Sequence, residues 1–243
     1  MDCIKIEHLE MDIDRVSIQT PPVNILTQQL LEEFITYLNT NSPSGLIITG
    51  ADGIFSAGLD FKALAQEEDK LQLYLQSFLS LVQKLSTFNK PLIFAISGHC
   101  AAGGTVLALT GDYRIMQEGK YQMGLNELEI GLPVPAMIVD LMSNIIGTKN
   151  AYQSIMFSTR FNPTTAYNIG LIDQLSEKVQ EDSLLKMKAI LQLEPTAWSL
   201  TKQNLKRELN EKMMNSLTED TTSIIEFCKT ETFKKSLQKV FKK

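Results

Sequence analysis

Two short, wholly apolar runs set the terms on which this chain can fold. Gly45-Leu46-Ile47-Ile48-Thr49-Gly50 and Pro91-Leu92-Ile93-Phe94-Ala95-Ile96 are too short for helices and read as buried strands. Between them, Leu71, Leu75, Phe78, Leu79, Val82 and Leu85 recur at helical spacing and predict a long amphipathic helix over residues 67–88. The surrounding residues repeat this alternation. Residues 3–9 and 13–19 read as a strand pair turning near Met11-Asp12-Ile13-Asp14, and Pro21-Pro22 breaks the pattern. Thr27 can cap a helix over 28–39, Thr105–Leu109 is an apolar helix, and Tyr113–Met116 is another strand. Ala51 to Leu64 reads as a loop. Strands that alternate with helices through short glycine-marked turns are the signature of an α/β fold. From Thr164 onward only Leu171-Ile172-Asp173 reads as a strand, and the rest is helical with lysine-bearing faces. The expected organisation is an α/β core over residues 1–160 and a helical C-terminal region over 161–243. Amphipathic helices of that kind suit docking on another subunit.

Composition removes several function classes. A chain of 243 residues with 44% hydrophobic and 21% charged residues can pack a core and is neither disordered nor fibrous. No run approaches 18 apolar residues, so no membrane-spanning helix is expected. A net charge of −5 argues against nucleic acid as the main partner. Cys3, Cys100 and Cys228 are an odd, unpaired set, and His8 and His99 are the only histidines, so neither a disulfide framework nor a metal site is indicated. Met1–Glu7 is not a targeting sequence and Val240-Phe241-Lys242-Lys243 is not a peroxisomal address. A reducing, cytoplasmic setting is expected; a processed mitochondrial matrix protein would look the same.

Three segments carry candidate chemistry. Phe55-Ser56-Ala57-Gly58-Leu59-Asp60-Phe61-Lys62 follows a buried strand. Gly98-His99-Cys100-Ala101-Ala102-Gly103-Gly104-Thr105 joins a buried strand to a buried helix, and its small residues permit close backbone approach and leave N–H groups free at a helix start. It lacks the ending of a nucleotide-phosphate loop. Gly124-Leu125-Asn126-Glu127-Leu128-Glu129-Ile130-Gly131-Leu132-Pro133 sets two carboxylates in an apolar stretch, where Glu is seldom buried without a reason. Each alone also fits a structural role: a strand-to-helix turn, tight packing, a solvated loop face.

In this order and spacing the three resemble the crotonase (enoyl-CoA hydratase/isomerase) superfamily of acyl-CoA enzymes. The resemblance also takes in Pro22-Val23-Asn24-Ile25-Leu26, Gly111-Asp112-Tyr113-Arg114-Ile115, Ala166 with Gly170-Leu171-Ile172-Asp173, and Thr201-Lys202. It implies a spiral of repeated ββα units with a helical C-terminal region for trimerisation and active-site cover. The implied assembly is a homo-oligomer, a trimer or dimer of trimers. The implied substrate is an acyl-CoA thioester, with no metal or organic cofactor, coenzyme A being part of the substrate. It places the oxyanion donors at the N–H groups of Leu59 and Gly103 and the α-proton carboxylate at Glu127. Ser56, Ala57 and Gly58 fall on the adenine and pantetheine track, Lys62 on a phosphate contact, and Val106 and Leu132 on the substrate side. Lys234, Lys235, Lys239, Lys242 and Lys243 would add positive charge or form a solvated face.

Within the family the chain is most similar to mitochondrial-type Δ3,Δ2-enoyl-CoA isomerases. Leu132-Pro133-Val134-Pro135-Ala136-Met137 departs from the glycine-rich run of hydratases. Val106 also holds the place of their second glutamate, and valine cannot activate water. A double-bond shift needs one base, so isomerisation in fatty-acid β-oxidation is the expected activity. Hydration or another family reaction, and a binding protein without catalysis, are the alternatives. Glu129 is the rival base, outside the E-x-x-x-G register. His99 and Cys100 are expected to be structural.

Overall fold

The computed structural model describes residues 2–240. Strands β1 (Ile4–Leu9) and β2 (Ile13–Ile18) form the expected antiparallel pair. After β3 (Ile25–Leu26), the Thr27 hydroxyl accepts the Leu30 N–H at 3.2 Å and caps α1 (Gln28–Thr40). There follow β4 (Gly45–Thr49), β5 (Gly53–Ser56), β6 (Gly58–Leu59), α2 (Phe61–Leu64) and the long α3 (Glu68–Ser86). Next come β7 (Leu92–Ile96), β8 (Gly98–Ala101), α4 (Gly103–Leu109), β9 (Tyr113–Gln117), β10 (Met123–Gly124) and α5 (Ala136–Met156). The chain continues with α6 (Pro163–Asn168), β11 (Gln174–Ser176), α7 (Val179–Ile190), α8 (Pro195–Cys228) and α9 (Glu231–Val240).

The expected ββα repeat is present three times, as β4–β5 before α2 and α3, β7–β8 before α4, and β9–β10 before α5. In each, the first strand joins a six-stranded sheet of order β1-β2-β4-β7-β9-β11, parallel from β2 onward. The second joins a three-stranded parallel sheet of order β10-β8-β5. A separate two-stranded ladder pairs β3 with β6. The apolar runs occupy β4 and β7, the two central strands, where all ten residues are buried. The step from large sheet to small sheet is tight. A Cβ on Gly98 would lie 2.0 Å from the Gly53 carbonyl carbon, so only glycine lets β8 pass β5 here.

Three boundaries differ from those expected. The loop over 51–64 contains β5, β6 and α2, elements too short to show a period of their own. Helix α4 starts at Gly103, because buried glycines pack where propensity alone disfavours them. The last strand is Gln174–Ser176, not Leu171–Asp173. The N–H groups of Leu171 and Ile172 close the end of α6 on the Ala166 carbonyl, at 2.8 and 3.3 Å, and are unavailable to a ladder. Among the described residues no helix is long and apolar enough to cross a membrane.

The 34-residue α8 packs against α3 and α5 and is fastened by buried charges. Lys202 Nζ donates to Asp112 Oδ2 at 2.6 Å and to the Lys90 carbonyl at 2.8 Å, and lies 5.2 Å from the Trp198 ring centre. Lys206 Nζ reaches the Thr110 carbonyl at 2.8 Å and Asp112 Oδ1 at 3.4 Å. Asp112 also accepts the Leu92 N–H at 2.9 Å, so one carboxylate ties α8 to β7 and to the turn before β9. Burial lowers Lys202 to about 8 despite that partner. Asp112→Asn should therefore cost about 3 kcal/mol, since the buried Lys202 ammonium and the half-buried Lys206 ammonium lose their counter-charge. Equilibrium urea unfolding measures this, and a loss below about 1 kcal/mol would show that the pair does not fasten α8.

Candidate active site

The small sheet gathers the three candidate segments around β8. On one side Gly53, Ile54 and Ser56 of β5 pair with Gly98, His99 and Cys100. On the other, Met123 and Gly124 of β10 pair with Cys100 and Ala101. Thr105 binds the end of this arrangement: its hydroxyl donates to the Cys100 carbonyl at 2.7 Å and accepts the Gly124 N–H at 3.1 Å. The Ala102 N–H donates to the Gly124 carbonyl at 2.9 Å.

The loop carrying Gly58 and Leu59 is strapped from below. Asn24, at φ 51°, donates from Nδ2 to the carbonyls of Ile54 and Phe55 at 3.3 and 3.2 Å. Ser56 Oγ donates to the Asn24 carbonyl at 2.6 Å and accepts the Gly58 N–H at 3.1 Å. Gly58 is buried at φ 95°. A Cβ there would lie 2.9 Å from Ala102 Cβ and 3.0 Å from both the Ala101 carbonyl oxygen and the Gly103 nitrogen. Two backbones thus touch, and the side chains of Leu26 and Leu59 pack over Gly103. Ala102 holds φ 47° and ψ −120°, a conformation costing an L-residue about 1–3 kcal/mol. Helix α4 then begins, and the N–H of Gly103, at its first position, has no intrahelical acceptor.

Glu127 opens a short 3-10 turn three residues beyond Gly124. It is buried, and its Oε2 has no hydrogen-bond partner. Burial pushes its carboxyl up to about 7, against the opposing pull of the Glu127 and Asn126 N–H groups. Its carbonyl accepts the Leu132 N–H at 3.0 Å, which ends the turn and buries Leu132. Gly131, at φ 73°, faces Ser236 of α9, so the last helix lies against this turn.

The other candidates separate clearly. Glu129 is exposed and paired with Arg160 at 2.8 Å. His99 is exposed and accepts the Gln122 N–H at 3.2 Å. Cys100 is enclosed, its thiol pushed up to about 12 by burial. Val106 is fully buried in α4. Ala57 is half-buried, its N–H on the Val23 carbonyl at 3.0 Å. Lys62 is exposed beside a cavity of about 730 Å³ lined also by Thr20, Thr27, Asp60, Lys70 and Tyr74. Ser56 is fully buried with its hydroxyl engaged twice, so its side chain shapes the loop. Lys234, Lys235 and Lys239 are exposed on α9, while Lys242 and Lys243 lie outside the described residues. Among the described residues no cluster of three His, Cys, Asp or Glu side chains is placed to hold a metal ion. Sequence reasoning missed Asn24, whose amide straps the loop, and Tyr74, whose hydroxyl accepts the Asp60 N–H and donates to the Leu26 carbonyl. An asparagine after Pro21-Pro22 suits a positive φ, and a tyrosine on the apolar face of a helix needs a partner for its hydroxyl.

The chain belongs to the enoyl-CoA hydratase/isomerase family, the crotonase superfamily of acyl-CoA enzymes: a family model described as Enoyl-CoA hydratase/isomerase matches residues 9–243. Among individual relatives, it is 31% identical over 229 residues to human mitochondrial enoyl-CoA delta isomerase 1, covering 90% of this chain and 76% of that one. It is 30% identical over 182 residues to a probable enoyl-CoA hydratase of Bacillus subtilis, covering 72% and 69%. The crystal structure of human mitochondrial Δ3-Δ2-enoyl-CoA isomerase superposes with a TM-score of 0.93 at 28% identity, over 99% of this chain and 97% of the other.

The contact at Gly58 yields a paired expectation. Gly58→Ala meets both a positive φ and backbone atoms at 3.0 Å, and should destabilise by about 2–4 kcal/mol. Gly53→Ala, at φ 79° with nothing within 4 Å, carries the backbone cost alone, about 1–2 kcal/mol. Equal losses in thermal unfolding would mean that the two backbones are not in contact at Gly58.

Proposed function

We propose that the chain is a Δ3,Δ2-enoyl-CoA isomerase that moves a 3-enoyl-CoA double bond to the trans-2 position with Glu127 as its single base. The observation that carries this reading is the buried Glu127 carboxyl with an unpartnered oxygen. A buried carboxyl oxygen without a partner is costly, and a substrate C–H placed against it gives that oxygen a proton to take. The Glu127 carboxylate removes a proton from C2 of the thioester. The electron pair spreads over C2, C3, C4 and the thioester oxygen as a dienolate. Glu127 returns the proton to C4, leaving the double bond between C2 and C3.

The N–H groups of Leu59 and Gly103 hold the developing negative charge on the thioester oxygen, where one such donor is worth about 3–4 kcal/mol of barrier. A carboxyl near 7 is well matched to taking and returning a proton at neutral pH. Val106 supports isomerisation over hydration: the valine is enclosed, and the family resemblance gives its position to a hydratase's second carboxylate. Likeness to named isomerases supports the same choice. The proposal includes a place in fatty-acid β-oxidation, a Lys62 contact to the CoA phosphates, no cofactor beyond the substrate's own CoA, and a trimer or dimer of trimers. Leu205, Met214 and Phe157, all exposed, offer apolar surface for such an assembly.

Glu127→Gln should lower turnover of 3-hexenoyl-CoA at least roughly 100-fold while binding changes little. Normal turnover in that variant, with Glu129→Gln inactive, would identify the other carboxylate as the base. The base acts ionised, so wild-type kcat/KM should rise with pH to a plateau above about 7. A profile flat from pH 5 to 9 would remove Glu127 from the role. The wild type should also isomerise 3-hexenoyl-CoA at least roughly tenfold faster than it hydrates 2-hexenoyl-CoA, as followed by absorbance of the conjugated thioester. Equal rates would replace the one-base reading with a hydratase.

A further inference from the structure

We infer that Tyr74 is a positioning residue whose hydroxyl locks Leu59 in register beside Gly103, and so sets the geometry that receives the thioester oxygen. This rests on the assignment of the Leu59 N–H as a donor to that oxygen. The Leu59 segment is weakly held by its own ladder, since β3 and β6 pair only Ile25 with Gly58 and Leu26 with Leu59. Tyr74 extends that ladder. Its hydroxyl accepts the Asp60 N–H at 2.7 Å and donates to the Leu26 carbonyl at 2.6 Å, bridging the residue after Leu59 to the residue paired with Leu59.

Both short bonds come from one oxygen on α3, a long helix packed into the core. Tyr74 is 1% exposed, so its hydroxyl is enclosed with these two partners. Burial raises its phenol, and the proton given to Leu26 is retained at every working pH. The side chains of Leu26 and Leu59 are the two that pack over Gly103. Loosening the rung therefore moves one proposed donor and unpacks the other. The hydroxyl acts through its two backbone partners, Asp60 and Leu26.

Tyr74→Phe removes the bridge and keeps the ring. Its control is Tyr37→Phe, which removes a buried hydroxyl bonded to Asp14 Oδ2 at 2.7 Å, on α1 facing β2. The readouts are thermal unfolding, kcat and KM on 3-hexenoyl-CoA, and the infrared carbonyl stretch of bound hexanoyl-CoA carrying 13C at C1. Wild type should shift that stretch to lower frequency. Tyr74→Phe should lose most of the shift and at least roughly tenfold in kcat, with KM within about threefold. Tyr37→Phe should keep both the shift and kcat, whatever it does to stability. A wild-type carbonyl shift and kcat in Tyr74→Phe would overturn the proposal. If Tyr74→Phe does not fold, Asp60→Pro removes the N–H from the other end of the rung, since Asp60 sits at φ −75°. It should lose the shift likewise, and a retained shift there overturns the proposal too. The infrared measurement needs only binding. A wild type that shifts the carbonyl but does not isomerise refutes the proposed activity and leaves the role of Tyr74 decided by the variants.

Discussion

The approach of Gly58 to Ala101, Ala102 and Gly103 is the contact on which the rest of the arrangement depends. Two backbone segments from different ββα repeats meet with no room for a Cβ between them. Everything nearby serves that closeness. The Asn24 and Ser56 hydrogen bonds hold one backbone from below, and Thr105 and the Ala102–Gly124 bond hold the other. The strained Ala102 is the cost of turning directly from β8 into α4. Because β8 is the middle strand of the small sheet, its other edge carries β10, and with it the turn that buries Glu127.

Asp112 and Glu127 are carboxylates with opposite surroundings. Asp112 is tied to Lys202, Lys206 and the Leu92 N–H, so its charge is matched on every side and its work is to hold α8 in place. Glu127 keeps one oxygen unmatched, and burial lifts its carboxyl to about 7. A buried carboxyl oxygen left in this way carries the full cost of its desolvation. Glu129, two residues on, is exposed and paired, its carboxylate matched by Arg160. The difference between neighbours comes from the 3-10 turn, which sends the two side chains to opposite environments.

The repeat itself explains why small residues crowd the candidate site. Each repeat gives one strand to the large sheet and the next to the small one, and the crossing brings β8 against Gly53 and α4 against Ser56. Side chains at the crossings would push the sheets apart. The large sheet takes apolar residues on both faces, which is why β4 and β7 were legible as unbroken runs. The small sheet is made of strands of two to four residues, too short to show a period, so the sequence pattern does not reveal them.

The sequence by itself determined the alternation of strand and helix, the Thr27 cap, the long helix through Leu71 and Leu85, and the family to which the ordered motifs belong. The apolar stretch drew attention to Glu127 and Glu129 together, and only the register of the family resemblance preferred Glu127. The sequence did not show that the Ser56 hydroxyl is engaged within the chain, because a hydroxyl in a loop looks the same whether it faces solvent or backbone. What only the tertiary structure decided was which groups are matched. Asn24 and Ser56 lie 32 residues apart, Leu26 and Tyr74 lie 48 apart, and Asp112 and Lys202 lie 90 apart. Pairings at such separations leave no local pattern, and they determine which buried polar atoms, Glu127 Oε2 among them, are left without a partner.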